Sequence, residues 1–165
     1  MSEQVAIDSL EFAHKAEVLR GKVAAATMAR LQDALYAKDG TLDYVLSGGV
    51  NGYGKPVLRC EVKGELSLKC QRCMGELKYV VEVRSEVLLA ADEAELTRYD
   101  ESTEASTEAI LADPHLDVLA LIEDEVILSL PMSPMHPILE CPANSQLQGR
   151  ADNPFAALAA LKASE

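Results

Sequence analysis

An alternation of apolar and polar side chains through residues 58–83, interrupted once by Cys70-Gln71-Arg72-Cys73, constrains the fold of this chain more than any other feature. Before the interruption, the apolar positions are Leu58, Cys60, Val62, Leu66, Leu68 and Cys70. After it, they are Leu77, Tyr79, Val81 and Val83. A period of two indicates antiparallel strands with one buried face. The pattern therefore predicts two paired strands, with residues 70–75 at the turn of the hairpin.

Turn and helix signals precede this hairpin. Asn51-Gly52 lies within a cluster of glycines and predicts a turn between two strands. The run 18–23 predicts a short strand. A single helical stripe is formed by Ala24, Met28, Leu31 and Leu35. It predicts a helix that ends at Asp39-Gly40, where glycine suits the left-handed cap.

Two further helices are expected in the second half of the chain. The first begins near Leu116 and ends at Leu130-Pro131, and its apolar stripe consists of Leu119, Ile122, Val126 and Leu130. Glu123-Asp124-Glu125 then forms its solvated face, because three adjacent carboxylates cannot all point into one cleft. The second helix opens at Asn153-Pro154-Phe155, with an N-cap asparagine and a proline at the first helical position.

Length and composition bound the fold class. With 165 residues, 48% of them hydrophobic, the chain can bury one core, and we expect a single domain over residues 1–165. Strands in the middle and helices around them predict an α+β fold with an antiparallel, barrel-like sheet flanked by helices. Residues 92–113 are rich in acids and poor in apolar side chains, which predicts a mobile acidic loop.

The chain carries no signal for a membrane or for export. No apolar run approaches the ~18 residues of a membrane span, and Met1-Ser2-Glu3-Gln4 does not resemble a secretory signal. Its four cysteines are unevenly spaced, unlike those of a secreted disulfide framework. We therefore expect a cytoplasmic protein without membrane contact.

Charge limits the class of partner. The net charge of −12 argues against coating nucleic acid by charge alone. Residues 55–84 nevertheless hold seven bases and four acids, a local balance of +3. Within them Arg59, Lys63, Lys69 and Arg72 are candidate contacts to RNA phosphates. Alternating signs on a solvated sheet face explain the same residues without any ligand.

The cysteines divide into two kinds. Cys60 shares the parity of buried neighbours, which predicts a core residue. Cys70 and Cys73 bracket a turn, and together with His136 and Cys141 they could form a Cys₃His zinc site. A thiol oxidoreductase is the alternative, but its C-x-x-C begins a helix, whereas Cys73 is followed here by a second strand. Structural thiols without a metal also fit the pattern.

Catalytic signatures are absent from the sequence. There is no G-x-S-x-G, H-E-x-x-H or phosphate-binding loop, and His14 and His115 have no neighbouring partner cluster. The sequence therefore favours a binding protein over an enzyme.

Four motifs in order resemble the bacterial YceD family over roughly residues 15–163. They are the run 64–73 ending in Cys70-Gln71-Arg72-Cys73, the run 116–125 continuing to Leu130-Pro131, the His136 and Cys141 element, and Asn153-Pro154-Phe155 with the residues after it. The resemblance implies a non-enzymatic ribosome biogenesis factor needed for accumulation of 23S rRNA. The partner would be pre-ribosomal large-subunit rRNA or a basic ribosomal protein, and electrostatics favour the second. No catalytic residues follow from the resemblance, and the oligomeric state stays open.

Overall fold

An open five-stranded sheet carries the fold in the computed structural model, which describes residues 5–101 and 108–143. The elements in chain order are β1 (Ala6–Ile7), α1 (Ser9–His14), β2 (Val18–Ala24), a 3₁₀ turn (Ala25–Thr27), β3 (Thr41–Val50), β4 (Pro56–Lys69), β5 (Glu76–Ala90), α2 (Glu93–Glu101), β6 (Glu108–Leu111), β7 (Leu116–Asp117) and α3 (Val118–Ser129). The sheet order is β2-β3-β4-β5-β6, and β1 pairs with β7 in a separate ribbon.

The long hairpin predicted from the period-two pattern is confirmed. β4 and β5 pair without a break from Val57 opposite Leu88 to Lys69 opposite Glu76. The apolar positions of β4 are buried, as the alternation requires. The expected strand at residues 18–23 is β2, and the turn at Asn51-Gly52 joins β3 to β4. The side chain of Asn51 fastens that turn by accepting hydrogen bonds from the N–H groups of Tyr53 and Lys55 (both 3.0 Å).

The α+β class is confirmed, but the barrel-like closure is wrong for the described residues. β2 and β6 lie at opposite edges of the sheet and do not pair with each other, and β6 runs parallel to β5. α1 lies against β3 and β4, and α3 lies against β4 and β5. One-sided burial is common to barrels and to sheets covered by helices, so the alternation could not tell them apart.

The helix predicted from the stripe at Ala24 is also wrong. Only a 3₁₀ turn forms at Ala25–Thr27, and turns follow it. The N–H of Tyr36 donates to the carbonyl of Ser67 (2.8 Å), and the N–H of Lys69 donates to the carbonyl of Ala34 (3.0 Å). The backbone around Leu35 therefore pairs with the C-terminal end of β4. The side chains of Met28, Leu31 and Leu35 are nevertheless buried. The burial of these side chains was predicted correctly, but the conformation of their backbone was not.

The region predicted to be an acidic loop holds regular structure on both sides of residues 102–107, which lie outside the described residues. Asp92 accepts a hydrogen bond from the N–H of Glu95 (2.7 Å), in the manner of a helix N-cap, and α2 follows. β6 then pairs with the end of β5. The mobility of this region and the single-domain organisation stay predictions.

α3 begins and ends as the sequence indicates. The Asp117 carboxylate caps it by accepting from the N–H groups of Leu119 (2.9 Å) and Ala120 (3.1 Å), and Leu130 is its C-cap residue. The expectation of a solvated acidic face is wrong, because Glu123 is 8% exposed and Glu125 is 7% exposed. The helix expected from Asn153 lies outside the described residues.

Candidate metal centre

The turn between β4 and β5 is a tight knuckle that carries two thiols. The N–H of Cys70 donates to the carbonyl of Gly75 (2.9 Å), and the N–H of Met74 donates back to the carbonyl of Cys70 (2.8 Å). Met74 adopts a left-handed backbone with φ of 58°. These bonds close the six-residue turn that the sequence predicts, with Cys70 at its entry and Cys73 inside it.

The segment after α3 folds back onto this knuckle. The N–H of Gln71, inside the C-x-x-C motif, donates to the carbonyl of Pro134 (2.8 Å). Further along, the N–H groups of Glu140 (3.0 Å) and Cys141 (3.1 Å) both donate to the carbonyl of Pro137. The backbone of the knuckle therefore holds the same proline-rich segment that supplies His136 and Cys141.

The four predicted ligands converge. One ligand atom from each of Cys70, Cys73, His136 and Cys141 lies within 4.8 Å of every other. The Cys73 Sγ and the His136 Nδ1 are 3.4 Å apart. Around tetrahedral zinc, ligand atoms are separated by roughly 3.5–3.8 Å, given Zn–S and Zn–N bonds of about 2.3 and 2.0 Å. The cluster would need only a small contraction to coordinate an ion.

A neighbouring carbonyl orients the imidazole for ligation. The Nε2 of His136 lies 2.7 Å from the carbonyl oxygen of Glu76, an acceptor, so Nε2 carries the proton. In the neutral imidazole, the form that binds a metal, Nδ1 is then unprotonated and faces the thiol of Cys73. A hydrogen bond from the far nitrogen to a carbonyl is the usual support for a metal-binding histidine.

Backbone donors favour the thiolate at Cys70. Burial works to raise its pKa, but hydrogen bonds from the N–H groups of Cys73, His136 and Arg72 outweigh burial and bring the pKa to about 5. The pKa of Cys73 is raised: the N–H of Gly75 works to lower it, but burial and the thiols of Cys70 and Cys141 outweigh that bond. A thiolate at Cys70 beside two further thiols is the electrostatic setting in which a divalent cation could be held.

The four basic candidates do not form one patch. Arg59 and Lys63 lie on the outer face of the sheet, where Arg59 pairs with Glu86 (2.7 Å) and Lys63 with Glu82 (3.6 Å). Lys69 donates to the carbonyl of Asp33 (3.2 Å), and the Arg72 guanidinium lies 3.7 Å from the Met135 sulfur. At roughly 3.3 Å per residue, Arg59 and Lys69 lie about 33 Å apart along β4. Their role in binding phosphates stays a prediction.

Opposite charges face each other across the outer side of the sheet. The cross-strand ion pairs are Lys22 with Asp43, Arg59 with Glu86, Lys63 with Glu82, Lys78 with Glu65, and Arg84 with Glu61. The excess of +3 over residues 55–84 is therefore largely offset locally, which favours the solvated-face interpretation.

Glu125, which the sequence analysis assigned to a solvated helix face, is buried. The buried apolar positions of α3 are Val118, Leu121, Ile122 and Val126. They share Ile122 and Val126 with the predicted stripe but include Val118 and Leu121, which the prediction left out. Glu125 lies seven residues after Val118 and within the buried stripe. A glutamate among the apolar positions of an amphipathic helix is the sequence signal that could have identified Glu125 as buried.

The fold and site define an α+β protein in which three cysteines and one histidine cluster at a hairpin knuckle. The chain belongs to the YceD family: the family model "Large ribosomal RNA subunit accumulation protein YceD" matches residues 58–162, which include all four candidate ligands. The large ribosomal RNA subunit accumulation protein YceD of Haemophilus influenzae is 27% identical to it over 165 residues, covering 94% of each chain. No solved structure matches the chain. Within the described ranges, no helix is both long and apolar enough to cross a membrane.

Proposed function

We propose that this protein is a non-enzymatic, cytoplasmic factor that supports accumulation of 23S rRNA by binding, and that its knuckle holds a structural zinc ion. Family membership supports the role in large-subunit rRNA accumulation. The observation that carries the zinc proposal is the convergence of the ligand atoms of Cys70, Cys73, His136 and Cys141 within 4.8 Å. These residues come from segments some sixty positions apart and meet at one point.

The ligand count favours a structural ion over a catalytic one. Three thiolates and one imidazole would fill the four positions of tetrahedral zinc, whereas catalytic zinc keeps one position for water or substrate. Cys70 is fully buried and Cys141 is 3% exposed, whereas Cys73 and His136 are half-buried. Bound zinc would fasten residues 131–141 to the tip of the β4–β5 hairpin. The two segments would then form one rigid surface that a partner could recognise.

A basic ribosomal protein is the partner that the charge distribution supports best. The net charge is −12, and the outer sheet face is self-neutralised by its ion pairs. The net negative charge of the chain repels RNA phosphates and attracts a cationic protein chain, and the neutralised sheet face offers no basic patch to reverse this. Contact with pre-ribosomal RNA through Arg59, Lys63, Lys69 and Arg72 is the competing arrangement.

Thiol oxidoreduction is a second candidate, because the pKa of Cys70 of about 5 is typical of a reactive thiolate. Its sulfur is buried, however, and the knuckle leads into β5 and not into a helix. Both features disfavour attack on an external disulfide. A zinc-loaded protein whose thiols do not reduce a small disulfide substrate would support the structural assignment.

The biological role is tested by deleting the gene and measuring the ratio of 23S to 16S rRNA during growth at low temperature. We expect the ratio to fall, wild-type protein to restore it, and the Cys73→Ser variant to restore it poorly. Cys60→Ser, expressed to the same level, is the matched control. An unchanged ratio in the deletion strain would refute the biogenesis role, and full rescue by Cys73→Ser would refute the requirement for the knuckle.

A further inference from the structure

Glu125 is a residue of α3 that is only 7% exposed, and the described part of the chain gives its carboxylate no hydrogen bond or ion pair. Its neighbour Glu123 is buried to the same degree but accepts from the N–H of Arg30 (2.7 Å), the N–H of Leu31 (3.2 Å) and the Arg30 Nε (3.2 Å). Buried carboxylates are normally paired, because removing a charge from water is costly. Glu125 therefore lacks a partner that Glu123 has.

A cavity of about 430 Å³ opens beside this carboxylate. The Ser85 hydroxyl, which also lines it, is buried and has no hydrogen-bond partner within the described ranges. Glu86 and Glu108 add two more carboxylates to the lining, and Glu86 is already paired with Arg59. Arg84 is the one basic residue of the lining, and it lies 4.0 Å from Glu61. Two unpaired acids and an unpartnered hydroxyl thus surround one space.

We propose that this cavity binds an arginine side chain of a partner protein, an inference that rests on the proposed association with a basic ribosomal protein. The guanidinium would donate to the Glu125 carboxylate, and rotation of the Ser85 side chain would turn its hydroxyl oxygen, now closed off from solvent, towards the same group. Its planar arrangement of five N–H donors can serve two acceptors at once, which a lysine ammonium does less well.

The shape and the remaining lining fit a side chain better than a bare metal ion. Calcium takes six to eight oxygen ligands. Of the three carboxylates that line the cavity, Glu86 is already paired with Arg59, and Arg84 adds a positive charge to the lining. Leu128, which also lines the cavity, is 67% exposed and would contact the aliphatic stem of the incoming arginine. The charge of −12 would attract such a basic partner.

The proposal makes opposite demands on the two buried glutamates. Glu125→Gln keeps the size of the side chain and removes an uncompensated charge, so the isolated protein should unfold at the same temperature as wild type or a higher one. Glu123→Gln removes the charge that three donors surround, so that variant should unfold at a lower temperature. A purely structural role for Glu125 would lower the melting temperature of both variants.

Binding is tested by NMR titration of the whole protein with the peptide acetyl-Gly-Arg-Gly-amide at millimolar concentrations. We expect saturable shifts of the amides of Ser85, Glu108 and Glu125, and an affinity about tenfold lower in Glu125→Gln. The matched peptide with citrulline in place of arginine has the same shape without the charge, and should bind the wild-type protein about tenfold more weakly.

Three results would overturn the proposal. Wild type and Glu125→Gln could respond equally to the arginine peptide, or calcium chloride alone could produce the same shifts and displace the peptide. Glu125→Gln could also unfold at a lower temperature, which would show that a cation of the chain itself already pairs with Glu125. None of these readouts involves rRNA, so failure here leaves the 23S measurement standing, and failure of that measurement leaves the binding result standing.

Discussion

Cys60 and Cys70 lie ten residues apart at the same parity, one within β4 and one just after it, and both are almost fully buried, at 1% and 0% exposure. Their thiols nevertheless differ strongly in acidity. Burial raises the pKa of Cys60 to about 12, with the charges of Glu125 and Glu61 adding to the effect. At Cys70, backbone N–H donors outweigh burial and lower the pKa to about 5. Burial alone therefore does not decide whether a cysteine can serve as a metal ligand.

The availability of backbone donors explains the difference. Cys60 lies inside a strand, opposite Leu46 on β3 and Ser85 on β5, where N–H groups are committed to the sheet. At the knuckle the ladder has ended, so the N–H groups of Arg72 and Cys73 are free to donate to sulfur. The hairpin turn thus creates a thiolate site that the strand interior cannot.

The largest expected effect separates the two cysteines directly. Cys73→Ser should abolish binding of one equivalent of zinc and destabilise the protein by about 3 kcal/mol or more, because metal binding and folding are coupled. This corresponds to a fall in melting temperature of roughly 6–12 °C for a chain of this size. Differential scanning calorimetry with and without a chelator measures it. A chelator that leaves the melting temperature of the wild-type protein unchanged would contradict the prediction.

Cys60→Ser is the matched control, and it should retain the metal. Its cost should be about 1–3 kcal/mol, because the new hydroxyl is buried among apolar side chains. Urea denaturation together with zinc quantification measures both quantities. Loss of zinc in this variant would mean that the two thiols are not functionally distinct.

Glu123→Gln extends the comparison from thiols to carboxylates. We expect a loss of about 1.5–3 kcal/mol, since charge-assisted hydrogen bonds to the backbone of Arg30 and Leu31 are weakened. Denaturant unfolding of Glu123→Gln beside Glu125→Gln measures the contrast. Equal losses of stability in both variants would show that the hydrogen-bond donors around Glu123 do not distinguish it from Glu125.

The smallest expected effect concerns Glu95. Hydrogen bonds from the Tyr99 hydroxyl, the Ala91 N–H and the Lys55 ammonium lower the pKa of this carboxyl from 4.5 to about 2. The resulting stabilisation is fully present above pH 4.5 and is lost as the pH falls towards 2. Partial exposure limits it to about 1 kcal/mol. Glu95→Gln should reduce the fall in stability between those pH values, and an unchanged pH profile would contradict the assignment.

Strand pairing could be predicted from sequence because it depends on a local pattern, whereas the meeting of Cys70 and Cys73 with His136 and Cys141 was inferred from residue type alone. The alternation around Cys60 fixed the hairpin, and the spacing of Cys70 and Cys73 placed both thiols at its turn. The helix predicted from Met28, Leu31 and Leu35 does not form. A 3.6-residue spacing of apolar residues indicates which side chains are buried, but it does not indicate whether the backbone is helical or pairs with β4. The partner of Glu123 lies 93 residues away at Arg30, and no local pattern contains such information.

The central claim is that the knuckle binds one metal ion through four protein ligands. Native mass spectrometry of the purified protein, kept reduced and supplied with zinc, tests it most directly. We expect one zinc ion in the wild-type protein and in Cys60→Ser, and none in Cys73→Ser or His136→Ala. A wild-type protein that remains free of metal, or a Cys73→Ser variant that binds zinc as fully as wild type, would contradict the claim.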